Sequence, residues 1–205
     1  MRRIVLVRHG ESAWNAEGRV QGQSGPGLSE LGHRQARATA EEIGRRHSDA
    51  DLWVSDLQRA VETVEPMQDV LGCRAVVDER LRERSFGSWE GSLRDDVIAR
   101  DGDRWQRWMS GQDVIPEVGG ETADQLADRA HDVVRDILTS AEDGSTIVVV
   151  THGGLIWHGV HRLVGLPDRS LGGVHNTSLT VLIDLGDART LLGTWNSTGH
   201  LPHDL

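Results

Sequence analysis

Two short apolar runs, each ending on a histidine, constrain this chain more than any other feature in it. Ile4-Val5-Leu6-Val7 leads into Arg8-His9-Gly10, and Thr146-Ile147-Val148-Val149-Val150-Thr151 leads into His152-Gly153-Gly154. Unbroken β-branched runs of this kind are the pattern of strands buried on both faces of a sheet. Mostly parallel sheets place ligands beyond the carboxyl ends of their strands. The pattern therefore predicts a site where both strands run out into histidine.

The rest of the chain alternates strands with helices. Ser29 is the expected N-cap of a helix reaching residue 46. A strand over 51–54, a helix over 57–71 despite Pro66, and a short strand over 74–77 after the Gly72 stop follow. Helices are expected over 122–141 and 155–164, and strands over 178–185 and 190–195 around a Gly186-Asp187 turn. This order implies an α/β protein, a three-layer α/β/α sandwich with a mostly parallel central sheet. At 205 residues it is read as one domain over 1–205. Residues 90–120 are the least regular stretch and are expected to form a lid. Trp89, Trp105 and Trp108 suit a pocket wall and a core equally well.

Arg8, His9 and His152, with Arg59 in Ser55-Asp56-Leu57-Gln58-Arg59-Ala60 at the next strand-to-helix turn, form a convergent cationic cluster that fits a phosphate dianion. Two guanidinium groups would bind the non-bridging oxygens, while one imidazole donates a hydrogen bond and the other, neutral, attacks phosphorus in line. Helix N-termini after Gly10 and at Gly153 would add N–H donors. A leaving alcohol needs a proton, and Glu83 in Leu81-Arg82-Glu83-Arg84 is the expected acid, with Glu79 and Glu90 as alternatives. A formal net charge of −10 argues against nucleic acid or an acidic membrane as partner, so an anionic ligand needs a locally positive pocket. All 22 basic residues are arginine, whose planar fork suits bidentate phosphate binding. His158 and His161, one helical turn apart, read as a half-exposed helix face rather than a metal pair, since no third ligand is evident. His200 and His203 read as a solvated tail. A single cysteine, Cys73, and the lack of any long apolar run point to the cytoplasm.

Five blocks in this order resemble the histidine phosphatase superfamily, the phosphoglycerate mutase-like or "RHG" proteins. They are Leu6-Val7-Arg8-His9-Gly10-Glu11-Ser12 with Asn15, the Ser55 to Ala60 block, Leu81-Arg82-Glu83 with Phe86-Gly87-Ser88-Trp89-Glu90-Gly91, Gly119-Gly120-Glu121-Thr122, and Val150-Thr151-His152-Gly153-Gly154. The resemblance covers nearly the whole chain. It implies a phosphohistidine on His9, phosphoryl binding by Arg8, Arg59 and His152, proton donation by Glu83, and substrate contacts from Asn15, Gln21 and Gly22. It implies no metal and no cofactor. The Tyr-Gly-x-Leu-x-Gly-Leu-Asn-Lys insertion of the mutase branch is absent, which favours hydrolysis of a small phosphorylated substrate such as a sugar phosphate or phosphoglycerate. A phosphoglycerate mutase and a phosphoprotein phosphatase stay open as alternatives, as does a homodimer.

Overall fold

Alternation along the two central strands divides the molecule into two cores. The computed structural model describes residues 1–205 except Asp168, Asp187, Ala188 and Asp204. Its strands are β1 (Arg2–Arg8), β2 (Asp51–Val54), β3 (Val76–Val77), β4 (Thr146–Thr151), β5 (Leu179–Gly186) and β6 (Arg189–Ser197). Its helices are α1 (Ala13–Ala16), α2 (Glu30–Arg46), α3 (Gln58–Leu71), α4 (Arg94–Met109), α5 (Ala123–Ser140) and α6 (Gly153–Val164). The sheet order is β3-β2-β4-β1-β5-β6. The first four strands are parallel, β5 pairs antiparallel with β1, and β6 pairs antiparallel with β5.

Ile4, Leu6, Ile147 and Val149 face one side of the sheet and pack with Val133, Ile137, Ile156 and Val160 of α5 and α6. Val5, Val7, Val148 and Val150 face the other and pack with Ala40, Ile43, Val64 and Met67 of α2 and α3. Side chains of a strand point alternately to its two faces, so burial of every residue requires a helical layer on each. The expected three-layer sandwich is what forms. Ser29 and Thr122 cap α2 and α5 through their side chains, and Thr122 forms a capping box with Gln125.

Three expectations are corrected. The strand over 74–77 shrinks to Val76–Val77, both exposed at the sheet edge, where only one neighbour is available for pairing. Residues 90–120 are more regular than expected, with α4 kinked at Asp101 and a 3-10 turn over Ile115–Val118. This segment has its own small core of Trp89, Val97, Val114 and Ile115, against which Phe86, Trp105 and Trp108 pack. Its apolar residues are spaced for one narrow face, hence the weak sequence signal. Thirdly, His161 is buried rather than half-exposed, its Nδ1 2.7 Å from the Trp157 carbonyl and its ring against the indole, and His200 docks on α2 with Nε2 3.1 Å from Thr39 Oγ1. Of the expected turn after β5, Gly186 is in place and Asp187 lies outside the described residues. Among the described residues no helix is long and apolar enough to cross a membrane.

Candidate active site

β1 and β4 are neighbours with Arg8 level with Thr151, so the residues that follow both strands leave the sheet at the same end. This brings the buried rings of His9 and His152 to 5.1 Å between centroids. His9 Nδ1 lies 2.7 Å from the Gly10 carbonyl oxygen, and Nε2 faces the Nε–H of Arg59 at 3.2 Å. These partners assign the proton to Nδ1, leaving the Nε2 lone pair to accept from Arg59. Burial, then the charges of Arg59 and Arg8, hold His9 well below the usual imidazole range, against a smaller opposing effect of the Gly10 carbonyl. His152 is lowered likewise, by burial first and then by Arg59, His9 and Arg8. Both rings are therefore neutral at neutral pH, the form an attacking imidazole requires.

Arg59 lies in the first turn of α3 and is only 1% exposed. A cation is disfavoured at a helix N-terminus. Carbonyl groups offset this, with Nη2 donating to Gly22 at 2.6 Å and Nη1 to Ser24 at 3.0 Å. Burial lowers its pKa to about 10, with Glu83 opposing and Arg8 reinforcing, so the guanidinium stays charged at neutral pH. Arg8 crosses the N-terminus of α6, where a Cβ on Gly153 would come within 3.4 Å of its chain. Its Nη1 donates to the Val174 carbonyl at 2.5 Å, while its buried Nε has no partner among the described residues.

The Glu83 carboxylate accepts from the Gly154 amide at 2.9 Å and from the Arg84 amide at 2.8 Å. A Cβ at Gly154 would lie 2.3 Å from Glu83 Oε1, so glycine there is what admits the carboxylate. Arg129 holds the supporting loop by donating to the carbonyls of Arg80 and Arg82, both at 2.7 Å. The alternative acids are placed differently. Glu79 is 75% exposed, and Glu90 accepts from the Gln23 amide, the Ser24 hydroxyl and the Phe86 amide as a bracket between two loops.

Arg8, His9, Arg59 and Glu83 open on one cavity of about 480 Å³, together with Asn15, Gln21 and Gly22. His152 and Gly153 stand outside its wall, His152 Nε2 lying 2.9 Å from the Ser55 hydroxyl. Asn15 Oδ1 accepts from the Ser12 amide at 3.2 Å in the capping box of α1, and Gln21 Oε1 accepts from the Ser12 hydroxyl at 2.8 Å. Among the described residues no group of three or more His, Cys, Asp or Glu side chains is placed to hold a metal ion.

Several contributors escaped the sequence reading. Asn176 Nδ2 donates to the His9 carbonyl at 3.0 Å, and the Thr177 amide donates to the Arg8 carbonyl at 3.0 Å. Thr177 has φ of 52°, a conformation that costs a β-branched residue energy and that clusters at functional sites. Thr63 accepts from the Gly10 amide at 3.0 Å and donates to the Arg59 carbonyl at 2.6 Å, tying both motifs together. The same cavity is also lined by Phe86, Trp105, Trp108 and Met109, and by Arg19 and Arg94. Trp89 belongs to the core instead, its indole N–H donating to Asp101 at 2.9 Å. A second cavity of about 650 Å³ shares Trp108, but its Arg84 and Arg162 are paired with Asp113, Asp124 and Asp128.

The chain is similar along almost its whole length to known proteins. Residues 4–198 match the family model of the histidine phosphatase superfamily (branch 1). A metal-independent phosphoserine phosphatase of Arabidopsis thaliana is 36% identical over 97% of this chain and 82% of its own length. A glucosyl-3-phosphoglycerate phosphatase of Mycolicibacterium vanbaalenii is 34% identical over 100% of this chain and 99% of its own. The solved structure of a mycobacterial glucosyl-3-phosphoglycerate phosphatase with VO3 superposes with a TM-score of 0.87 at 35% identity, covering 97% of this chain and 100% of the other.

Proposed function

Because this chain belongs to the histidine phosphatase superfamily and is similar to a metal-independent phosphoserine phosphatase and a glucosyl-3-phosphoglycerate phosphatase, we propose that it hydrolyses a small phosphomonoester through a phosphohistidine on His9. The observation that carries this reading is the neutral His9, its proton tied to Gly10 and its Nε2 lone pair turned toward Arg59. Nε2 attacks phosphorus, the P–O ester bond breaks, and the leaving alkoxide takes the proton of Glu83. Glu83, now a carboxylate, removes a proton from water; the hydroxide attacks phosphorus, the P–N bond breaks, and inorganic phosphate leaves with His9 restored. Arg8 and Arg59 bind the non-bridging oxygens throughout, where charge accumulates. Asn15, Gln21 and Gly22 border the transferring group, while His152, neutral and held by Ser55, and the N-terminus at Gly153 stand just outside the cavity wall and reach the group once it is bound.

The substrate is a small molecule of the sugar phosphate or phosphoglycerate kind, since relatives are named for phosphoserine and glucosyl-3-phosphoglycerate, and a net charge of −10 disfavours nucleic acid and acidic membranes. The lone Cys73 suits the cytoplasm. Exposed Val76 and Val77 on the edge strand β3 are the patch a homodimer would cover. Residues 90–120 would act as the lid, α4 flanking the cavity mouth. The test is phosphate release from sugar phosphates, phosphoglycerates and an aryl phosphate with EDTA present. Wild type should release phosphate and trap label on His9 after rapid acid-free quench, and His9→Ala should do neither. Activity retained by His9→Ala overturns the mechanism.

A further inference from the structure

Two of the four arginines on the catalytic cavity are accounted for by the transferring phosphoryl group, and a third is already occupied. Arg8 and Arg59 flank His9. Arg19 donates from Nε to Glu17 at 2.6 Å and from Nη1 to the Gly91 carbonyl at 2.8 Å. Arg94 differs: its amide donates to the Gly18 carbonyl at 3.0 Å, but its guanidinium has no hydrogen bond or ion pair among the described residues. It is the first residue of α4, an end where a cation is electrostatically disfavoured, and Asp95 and Asp96 of the same turn make no ion pair with it. Among the described residues the one acidic group on the cavity wall is Glu83, whose carboxylate is already engaged by the Gly154 and Arg84 amides. The cavity thus carries a cation that neither the fold nor the phosphoryl group neutralises.

We infer that Arg94 selects substrates whose leaving alcohol bears a second anionic group, a carboxylate or a further phosphate, which its guanidinium binds while Trp105 and Trp108 cover the alcohol's apolar face. Arg94 lies before the kink at Asp101 and Trp105 and Trp108 after it, and the three side chains line the same cavity. A guanidinium fork matches either oxyanion, and the Arg94 side chain is exposed in the free protein, open to a ligand. This assignment rests on the phosphatase reading above and adds which alcohols that site accepts.

The test measures inhibition of aryl phosphate hydrolysis by 3-phosphoglycerate, fructose 1,6-bisphosphate and glycerol 3-phosphate in wild type, Arg94→Gln and Arg94→Lys. A charge-assisted hydrogen bond predicts that Arg94→Gln weakens 3-phosphoglycerate or the bisphosphate by about 10-fold or more and glycerol 3-phosphate by less than about 2-fold. Arg94→Lys should recover part of the loss, which a packing role would not give. Weakening confined to the bisphosphate assigns a phosphate to Arg94, and weakening of 3-phosphoglycerate assigns a carboxylate. Equal weakening of all three inhibitors, or none, overturns the role of Arg94. Absence of aryl phosphate hydrolysis by wild type is a different result, and it removes the phosphatase reading and this assignment together.

Discussion

At the residue scale, the site works by keeping two imidazoles neutral and two guanidiniums charged within one cluster. Burial alone would push all four toward neutrality, but Arg59 at about 10 remains a cation while His9 does not. Glu83 is the residue whose role is most sharply testable. Glu83→Gln keeps the size of the side chain and an acceptor for one of the two amides, Gly154 or Arg84, and removes the transferable proton and the charge. It should lower kcat for an alkyl phosphate by about 10²–10⁴-fold. For an aryl phosphate, whose leaving group needs no proton, the first step should survive and phosphohistidine should accumulate. Equal losses on both esters would assign Glu83 to binding instead. Arg8, His9 and His152 were legible in the sequence because each sits directly after a strand recognisable by its own composition. Asn176 was not, because its bond to the His9 carbonyl joins residues 167 apart.

At the element scale, the loop after β1 that carries His9 and Gly10 is clamped by α2. A Cβ on Gly32 would lie 2.0 Å from the Glu11 carbonyl, and one on Gly10 would lie 2.7 Å from the Gly32 carbonyl. The two backbones meet with no space for a side chain. In an unconstrained helix interior, glycine to alanine stabilises by roughly 0.5–1 kcal/mol. Here the sign should reverse: Gly32→Ala should destabilise by about 1–3 kcal/mol through overpacking and lower kcat by displacing Gly10 and Glu11. Thermal denaturation decides it, and a raised midpoint would mean that α2 does not clamp the loop. The boundaries of α2, α5 and β4 were readable from caps and β-branched runs, whereas α4 was not, since its sequence has few apolar residues and their purpose is a local core shared with Trp89 and Ile115. The loop at 174–178 also follows from topology alone. β5 runs antiparallel to β1, so it must begin where β1 ends, beside Arg8 and His9.

At the scale of the whole molecule, placing two neutral histidines inside the fold couples stability to pH. In the unfolded chain each takes a proton below about pH 6.5, whereas in the folded chain their pKa values are depressed. The unfolded state therefore binds more protons in the window below 6.5. Stability is fully present above that pH and is lost as pH falls toward the folded-state values, by up to about 1.4 kcal/mol per pH unit for each histidine. Urea unfolding at pH 7.5, 6 and 5 should show this slope, and His152→Gln should reduce it. A midpoint independent of pH over that range would show the two rings to be charged in the fold. The sequence by itself determined the strands, the long helices and the chemical inventory, because periodicity, caps and residue type are local properties of the chain. Only the tertiary structure decided that Glu83 and not Glu79 or Glu90 reaches the cavity, that Trp105 and Trp108 line it while Trp89 is core, and that Arg94 stands there with no partner among the described residues. Those outcomes depend on which distant segments share a surface, and that is set by the register of β1 on β4 and the packing of α4.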